Sequence, residues 1–91
     1  MIMSFKDRQT ESLFNGGPAP RFRSFRKVAL RKLDMLDAAK TLRDPRVPLG
    51  NGLESLKGSR RGQQSVCIID KWRICFIWEE GACDIEIVDN H

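Results

Sequence analysis

The chain has 91 residues, of which 41% are hydrophobic and 31% are charged, with a formal net charge of +4. This balance is typical of globular proteins and excludes a wholly disordered chain. The length leaves room for one domain over residues 1–91, with a modest core. No stretch has the apolar length of a signal peptide or a membrane span, so we expect a cytoplasmic protein that does not engage a membrane.

The cysteines and the histidine offer little for metal chemistry. Cys67, Cys75 and Cys83 recur eight residues apart, no pair has the CxxC spacing, and the single histidine is His91. We therefore expect neither a metal nor another cofactor, and we interpret the three cysteines as reduced thiols packed in strands.

Charge is distributed unevenly along the chain. Residues 16–33 carry Lys and Arg but no acid, whereas residues 74–91 carry acids but no Lys or Arg. This asymmetry suits a molecule that presents one face to a polyanion and turns another away from it. Two solvated faces would give the same pattern, so both interpretations stay open.

In chain order, residues 1–6 alternate weakly and predict a short opening strand. Asp7 is a suitable N-cap for a first helix over 8–15, which Asn15-Gly16-Gly17-Pro18 ends. A second helix is predicted over about 21–42, following Pro20.

The second helix is strongly amphipathic at 100° per residue. Its apolar half comprises Phe22, Phe25, Val28, Ala29, Leu33, Met35, Leu36, Ala39 and Leu42. The opposite half carries Arg23, Lys27 and Arg31, which form a candidate RNA-binding surface or, as is more common, a solvated helix face. No helix-turn-helix spacing surrounds this helix, which disfavours direct DNA binding.

Prolines and glycines interrupt residues 43–62, which predicts a long loop of the kind that often carries function. Three strands are predicted after it, over 64–69, 72–78 and 83–89, and tight turns join them. The two hairpins would form an antiparallel meander that pairs with the opening strand and packs one face on the long helix. The predicted fold class is α+β.

The loop ends in Leu56-Lys57-Gly58-Ser59-Arg60-Arg61-Gly62, where three cations lie beside glycines. Glycines let backbone N–H groups approach a phosphate, and the cations supply charge. Arg73 is predicted on the strand face opposite the tryptophans, and a hairpin could bring it near this loop. At the last strand's end, His91 is a natural proton carrier that Asp89 could orient, although a frayed surface histidine is the ordinary alternative.

Several segments resemble the HigB branch of the RelE toxins, within the RelE/ParE superfamily. They are residues 53–78, 86–91, 4–7, Thr10-Glu11, Leu13-Phe14 and 31–36. The most specific motifs are Lys57-Gly58-Ser59-Arg60, Trp72-Arg73-Ile74-Cys75-Phe76 and the ending Asp89-Asn90-His91. Together the segments cover nearly the whole chain.

The resemblance implies a RelE-like fold, with two N-terminal helices packed on a small, mainly antiparallel sheet of about four strands. It also implies the toxin of a type II toxin–antitoxin pair, a ribosome-dependent endoribonuclease that cuts mRNA in the A site and inhibits translation. The implied partners are the ribosome, its mRNA and a HigA-like helix-turn-helix antitoxin. Operator DNA would be reached only through the antitoxin complex.

The family's reaction is a metal-free attack of the ribose 2′-OH on the adjacent phosphate, which needs a base, an acid and cations for the phosphorane charge. The matching positions are Lys57, Arg60 and Arg73 for the phosphate, His91 for proton transfer, Asp89 as a supporting carboxylate, and Arg61 and Lys71 as further RNA-binding cations. Glu54 lies where some relatives carry a histidine and is a second candidate base. Which group acts as base and which as acid stays open.

The chain also departs from the family pattern. Relatives commonly end in Asp-Tyr-His, whereas Asn90 precedes His91 here and the sequence contains no tyrosine. Cys67 and Ile69 stand where relatives often have Arg and Asn, and Gly52 where many have Arg. Because each change removes a polar or cationic group from the RNA side, the alternative hypothesis is a member that binds antitoxin, ribosome or RNA without cleaving.

Overall fold

The computed structural model describes residues 1–42, 53–56, 58 and 62–89. Its helices, in chain order, are α1 (Arg8–Phe14), a 3₁₀ helix (Pro20–Phe25) and α2 (Arg26–Ala38). Its strands are β1 (Glu54–Ser55), β2 (Gln64–Ile69), β3 (Trp72–Trp78) and β4 (Ala82–Asp89). Within these described residues the strands form one antiparallel sheet in the order β1-β2-β3-β4, which confirms the α+β class.

The first helix forms where it was predicted, over Arg8–Phe14, and it begins at an aspartate cap. The Asp7 carboxylate accepts hydrogen bonds from the Gln9 backbone N–H at 3.3 Å and from the Thr10 hydroxyl at 2.7 Å. The Thr10 hydroxyl in turn accepts the Ile87 backbone N–H at 3.2 Å. Because this hydroxyl is completely buried, it ties the start of α1 to the middle of β4.

The predicted helix over 21–42 is wrong at both ends. Residues Pro20–Phe25 form a 3₁₀ helix, in which side chains three apart share one side. Phe22 and Phe25 are three apart, and their ring centroids lie 5.9 and 4.9 Å from that of Trp72. The α-helix ends at Ala38 because the next residue is extended at ψ 130°, and the carbonyl of that residue, Ala39, accepts the Met1 N–H at 2.7 Å.

The prediction of an opening strand over residues 1–6 is also wrong. Residues 1–6 run parallel to β4 but form only two isolated bridges, Ile2 to Ala82 and Phe5 to Ile85. Between the bridges, Asp84 has a positive φ of 51° and donates its N–H to the Ser4 hydroxyl at 2.9 Å. This kink in β4 interrupts the ladder, so a continuous strand does not form.

The strands β2 and β3 have the predicted bounds, and β4 begins one residue earlier than expected. Ile74 and Phe76 of β3 and Ile85 and Ile87 of β4 are buried on one face. The helices cover this inner face with the buried side chains Leu13, Phe22, Phe25, Ala29, Leu33 and Leu36. The apolar half predicted for the second helix is therefore confirmed as part of the core.

The loop predicted over 43–62 contains a strand. Glu54 and Ser55 pair with Ser65 and Gln64 of β2, and the Leu56 N–H donates to the Gln63 carbonyl at 2.9 Å. Residues 43–52, 57 and 59–61 of the predicted loop lie outside the described residues. The β1 strand is the edge of the sheet next to β2, and the pairing of Glu54 with Ser65 puts the Glu54 side chain on the outer face, away from the helices.

Candidate active site

Arg73 lies on the outer face of the sheet, in the second position of β3. It stands opposite Cys67 of β2 on one side and Val88 of β4 on the other. Its side chain is only 13% exposed, and its Nε–H donates to the Ser65 hydroxyl oxygen at 2.8 Å. Its Nη2 also lies 3.4 Å from the Ser65 carbonyl oxygen. The guanidinium is therefore held against the sheet surface.

A carboxylate meets this guanidinium from the neighbouring strand. Glu54 Oε1 lies 3.0 Å from Arg73 Nη2, while the Glu54 side chain remains 61% exposed. The register places Glu54 directly opposite Ser65, so side chains from β1, β2 and β3 converge at one point. Two of the sequence-predicted catalytic residues, Glu54 and Arg73, are thus in contact.

Ser65 is the site residue that the sequence interpretation missed. It is completely buried, and it is diagonal to Arg73 on the same face because Arg73 opposes Cys67 while Ser65 opposes Cys75. The sequence offered no signal for this contact, since a regular two-residue turn that pairs Ile69 with Trp72 would place Ile68 opposite Arg73. The register shifts by one residue between Cys67 and Ile69, and this irregularity brings Ser65 to the face of Arg73.

Asp89 and Lys71 lie beside the start of β3, at a surface cavity that Arg73 does not line. A surface cavity of about 530 Å³ is lined by Asp70, Lys71, Trp72 and Asp89. Asp89 pairs with Trp72 in the ladder, and side chains directly opposite each other share one face. The register thus assigns Asp89 to the face of Trp72 and Arg73 to the other face.

The cations of the helical region lie on the far side of the molecule. Arg23, Lys27 and Arg31 are exposed, and α2 buries its opposite side against the sheet. Two other arginines there have structural contacts. Arg26 donates to the Gly17 carbonyl, and Arg21 lies 3.7 Å from an Asp7 carboxylate oxygen. The exposed set Arg23–Lys27–Arg31, here called the helix stripe, is therefore separated from Arg73 by the sheet and the helix.

Comparisons with known proteins assign the family. A model of the HigB-like toxins, described as RelE-like toxins of the type II toxin–antitoxin system HigB, matches residues 3–91. The chain belongs to the HigB-like toxin family. It is 32% identical to Toxin HigB-1 of Vibrio cholerae serotype O1 over an alignment of 93 residues, which covers 100% of this chain and 98% of that relative.

Membership in the HigB-like family gives these residues a context. A type II system pairs its toxin with an antitoxin, so this HigB-like chain has an antitoxin as its implied partner. Toxins of the RelE-like kind are generally endoribonucleases. The resemblance predicted from the sequence is thus confirmed at the level of the family.

The remaining predicted site residues of this HigB-like toxin lie outside the part that the structure describes. They are Lys57, Arg60, Arg61 and His91. Their roles stay predictions. Among the described residues, no group of three His, Cys, Asp or Glu side chains is arranged to hold a metal ion, and Cys67, Cys75 and Cys83 lie on the strands as reduced thiols. None of the described helices has the length and hydrophobicity needed to cross a bilayer.

Proposed function

We propose that this HigB-like toxin is a ribosome-dependent endoribonuclease that cuts mRNA in the A site and thereby stops translation. The observation that carries the proposal is the guanidinium of Arg73, held by Ser65 with a carboxylate oxygen 3.0 Å from Nη2. Charged hydrogen bonds from Arg to phosphate oxygens have the same length and fork geometry as those to carboxylates. A phosphate oxygen of RNA can therefore take the place that the Glu54 oxygen occupies.

The proposed reaction needs no metal ion. A base takes the proton of the ribose 2′-OH, the freed oxygen attacks the adjacent phosphorus, and the bond to the 5′ oxygen breaks as an acid protonates that oxygen. Between these steps the phosphorane carries extra negative charge. Arg73, with Lys57 and Arg60, would stabilise that charge, which in enzymes of this type is normally the largest contribution.

Proton transfer is the second requirement, and His91 is the proposed carrier. Asp89 is on the face of Trp72 at the end of β4, so its proposed support for His91 comes from the strand end and not from beside Arg73. Glu54 is the second candidate for the base. Its carboxylate is 61% exposed and in contact with Arg73, so a ribose hydroxyl bound beside the phosphate would find a proton acceptor there. A positioned proton-transfer group typically contributes about 10²–10⁴-fold to the rate.

The second candidate function is binding without cleavage. The Glu54–Arg73 pair supports it, because the carboxylate competes with RNA for the guanidinium. Asn90 adds to it, since relatives commonly carry a tyrosine at this position. The Asn90→Tyr variant separates the two functions. A gain of toxicity in this variant would indicate a site that is complete except for one group. Cleavage of RNA by the wild-type protein would exclude binding without cleavage as the function.

The partners follow from the proposed function. The toxin would bind mRNA on the ribosome in the cytoplasm, using Arg61 and Lys71 as further contacts to the RNA backbone. A HigA-like helix-turn-helix antitoxin would neutralise it and connect it to operator DNA. No membrane contact is part of the proposal.

Inducible expression with and without the neighbouring antitoxin gene tests the proposal in cells. We expect growth arrest and mRNA cut within codons only when the antitoxin is absent. Arg73→Ala and removal of His91 should each abolish both effects. Arg8→Ala is the matched control, because Arg8 is an exposed cation on α1 outside the proposed site. Undiminished toxicity in the Arg73 and His91 variants would refute the assignment of these residues.

A further inference from the structure

Ser65 is one of two polar side chains that are completely buried among the described residues, the other being Thr10. A buried hydroxyl is destabilising unless it makes hydrogen bonds. The partners of Thr10 are a helix cap and a strand backbone, so its role belongs to the fold. The partner of Ser65 is the side chain of Arg73, which is a proposed catalytic group.

The neighbours of Ser65 show that packing does not require a hydroxyl at this position. Cys67 follows Ser65 on the same face of β2, and Cys75 stands directly opposite it on β3. Cys75 is 2% exposed, so a cysteine side chain, which has the shape of serine and is slightly larger, already packs on this face. What Ser65 adds to such a surface is a strong hydrogen-bond acceptor.

The atoms that this hydrogen bond joins show how Ser65 acts on Arg73. It receives the Nε–H of Arg73 at 2.8 Å, while Nη2 of the same guanidinium is the atom 3.0 Å from Glu54. The Nε and Nη atoms of arginine lie in one rigid plane. Fixing Nε therefore also fixes the position of Nη2.

We propose that Ser65 is a positioning residue for Arg73, and that its hydroxyl orients the guanidinium toward the scissile phosphate before RNA binds. The inference rests on the proposed function, since it assigns to Arg73 a phosphate as its target. A free arginine side chain has many rotamers, and donors that are already oriented need no reorganisation when charge develops in the transition state. Ser65 acts through Arg73 and does not touch the RNA.

Three substitutions of Ser65 separate positioning from packing. Ser65→Ala and Ser65→Cys remove the strong acceptor, and the cysteine leaves no cavity because its side chain is slightly larger than that of serine. We expect both to lower the single-turnover cleavage rate at saturating toxin by about 10-fold, the effect of losing one hydrogen bond to a charged group. Ser65→Thr keeps the hydroxyl, and its branched side chain suits a strand, so we expect it to retain most of the rate. Full activity in both Ser65→Ala and Ser65→Cys would overturn the inference.

A double-mutant cycle excludes a general loss of stability. Methionine has no group that could donate to Ser65, so adding Ser65→Ala to the Arg73→Met variant should leave the residual cleavage rate unchanged. If Ser65→Ala instead lowers the rate by the same factor in both backgrounds, it acts through the fold, and the inference is wrong.

A measurement without catalysis keeps this inference separate from the proposed function. The Nε–H signal of Arg73 in a ¹⁵N-labelled full-length chain should shift and exchange faster with water in Ser65→Ala than in the wild-type protein. An unchanged signal would overturn the inference even if the toxin cleaves RNA. If the signal changes but Arg73→Ala still cleaves RNA at the wild-type rate, the proposed role of Arg73 fails while its contact with Ser65 stands.

Discussion

Two cationic regions of this toxin differ in how their charges are held. Arg73 is 13% exposed, and a buried hydroxyl and a carboxylate hold its guanidinium in one place. The helix stripe of Arg23, Lys27 and Arg31 is exposed on the opposite side of the fold. A fixed guanidinium can stabilise charge at one defined point, whereas flexible surface cations attract a polyanion without defining its geometry. Under the proposed function, the chemistry belongs to the sheet and the attraction of RNA belongs to the helix.

The largest expected effect comes from removing the fixed charge. Arg73→Ala should lower the single-turnover rate of mRNA cleavage on the ribosome by about 10²–10³-fold, as for the loss of one preorganised donor. Arg73→Lys should recover only a small part of this loss, because a lysine keeps the charge but lacks the planar fork that can donate to Ser65 and to a phosphate at the same time. Recovery of the full rate by lysine would show that the site needs only a positive charge, and the contrast with the helix would disappear.

Replacing Arg23, Lys27 and Arg31 together with alanine tests the other region. We expect weaker binding to ribosomes and a flatter salt dependence, because each cation that contacts a phosphate adds about 0.7–0.9 to the slope of log K against log salt. Filter binding over a series of salt concentrations measures both quantities. An unchanged slope would mean that the helix stripe is a solvated face and contacts no RNA.

The smallest expected effect concerns the carboxylate beside Arg73. Glu54→Gln removes a competitor of the phosphate, so affinity for an RNA with a 2′-deoxy group at the cleavage position should rise about 2–5-fold, in line with a half-exposed ion pair. Glu11→Gln is the control, since it makes the same change of charge at an exposed position on α1. An equal rise in both variants would indicate net charge alone as the cause.

The hairpin shows how far the sequence alone could lead. The run 72–78 is rich in aromatic and β-branched residues, and Trp72, Ile74, Phe76 and Trp78 recur at every second position, which predicts the bounds of β3. The turn after β2 defines the neighbouring strand. The strand β1 could not be predicted because two residues have no measurable period. The 3₁₀ helix was missed because its geometry depends on the packing of Phe22 and Phe25 on Trp72, which is a tertiary contact.

The site was predictable only in part, for a similar reason. Glu54 and Arg73 were identified by their resemblance to family positions, but a sequence does not show that two residues 19 positions apart form an ion pair at 3.0 Å. Ser65 gave no signal in its own strand, where one serine among apolar residues is unremarkable. Its importance depends on the register of three strands, which places it between the two charged side chains.

The most direct test of the proposed function is a cleavage assay with purified ribosomes and two mRNAs. One mRNA is all-ribose, and the other has a single 2′-deoxy nucleotide at the cleavage position in the A site. We predict that the full-length toxin cuts the first mRNA only on the ribosome and leaves the second intact, because the attacking 2′-OH is missing. Binding to the ribosome without cleavage of either mRNA, or cleavage of both, would contradict the proposed function.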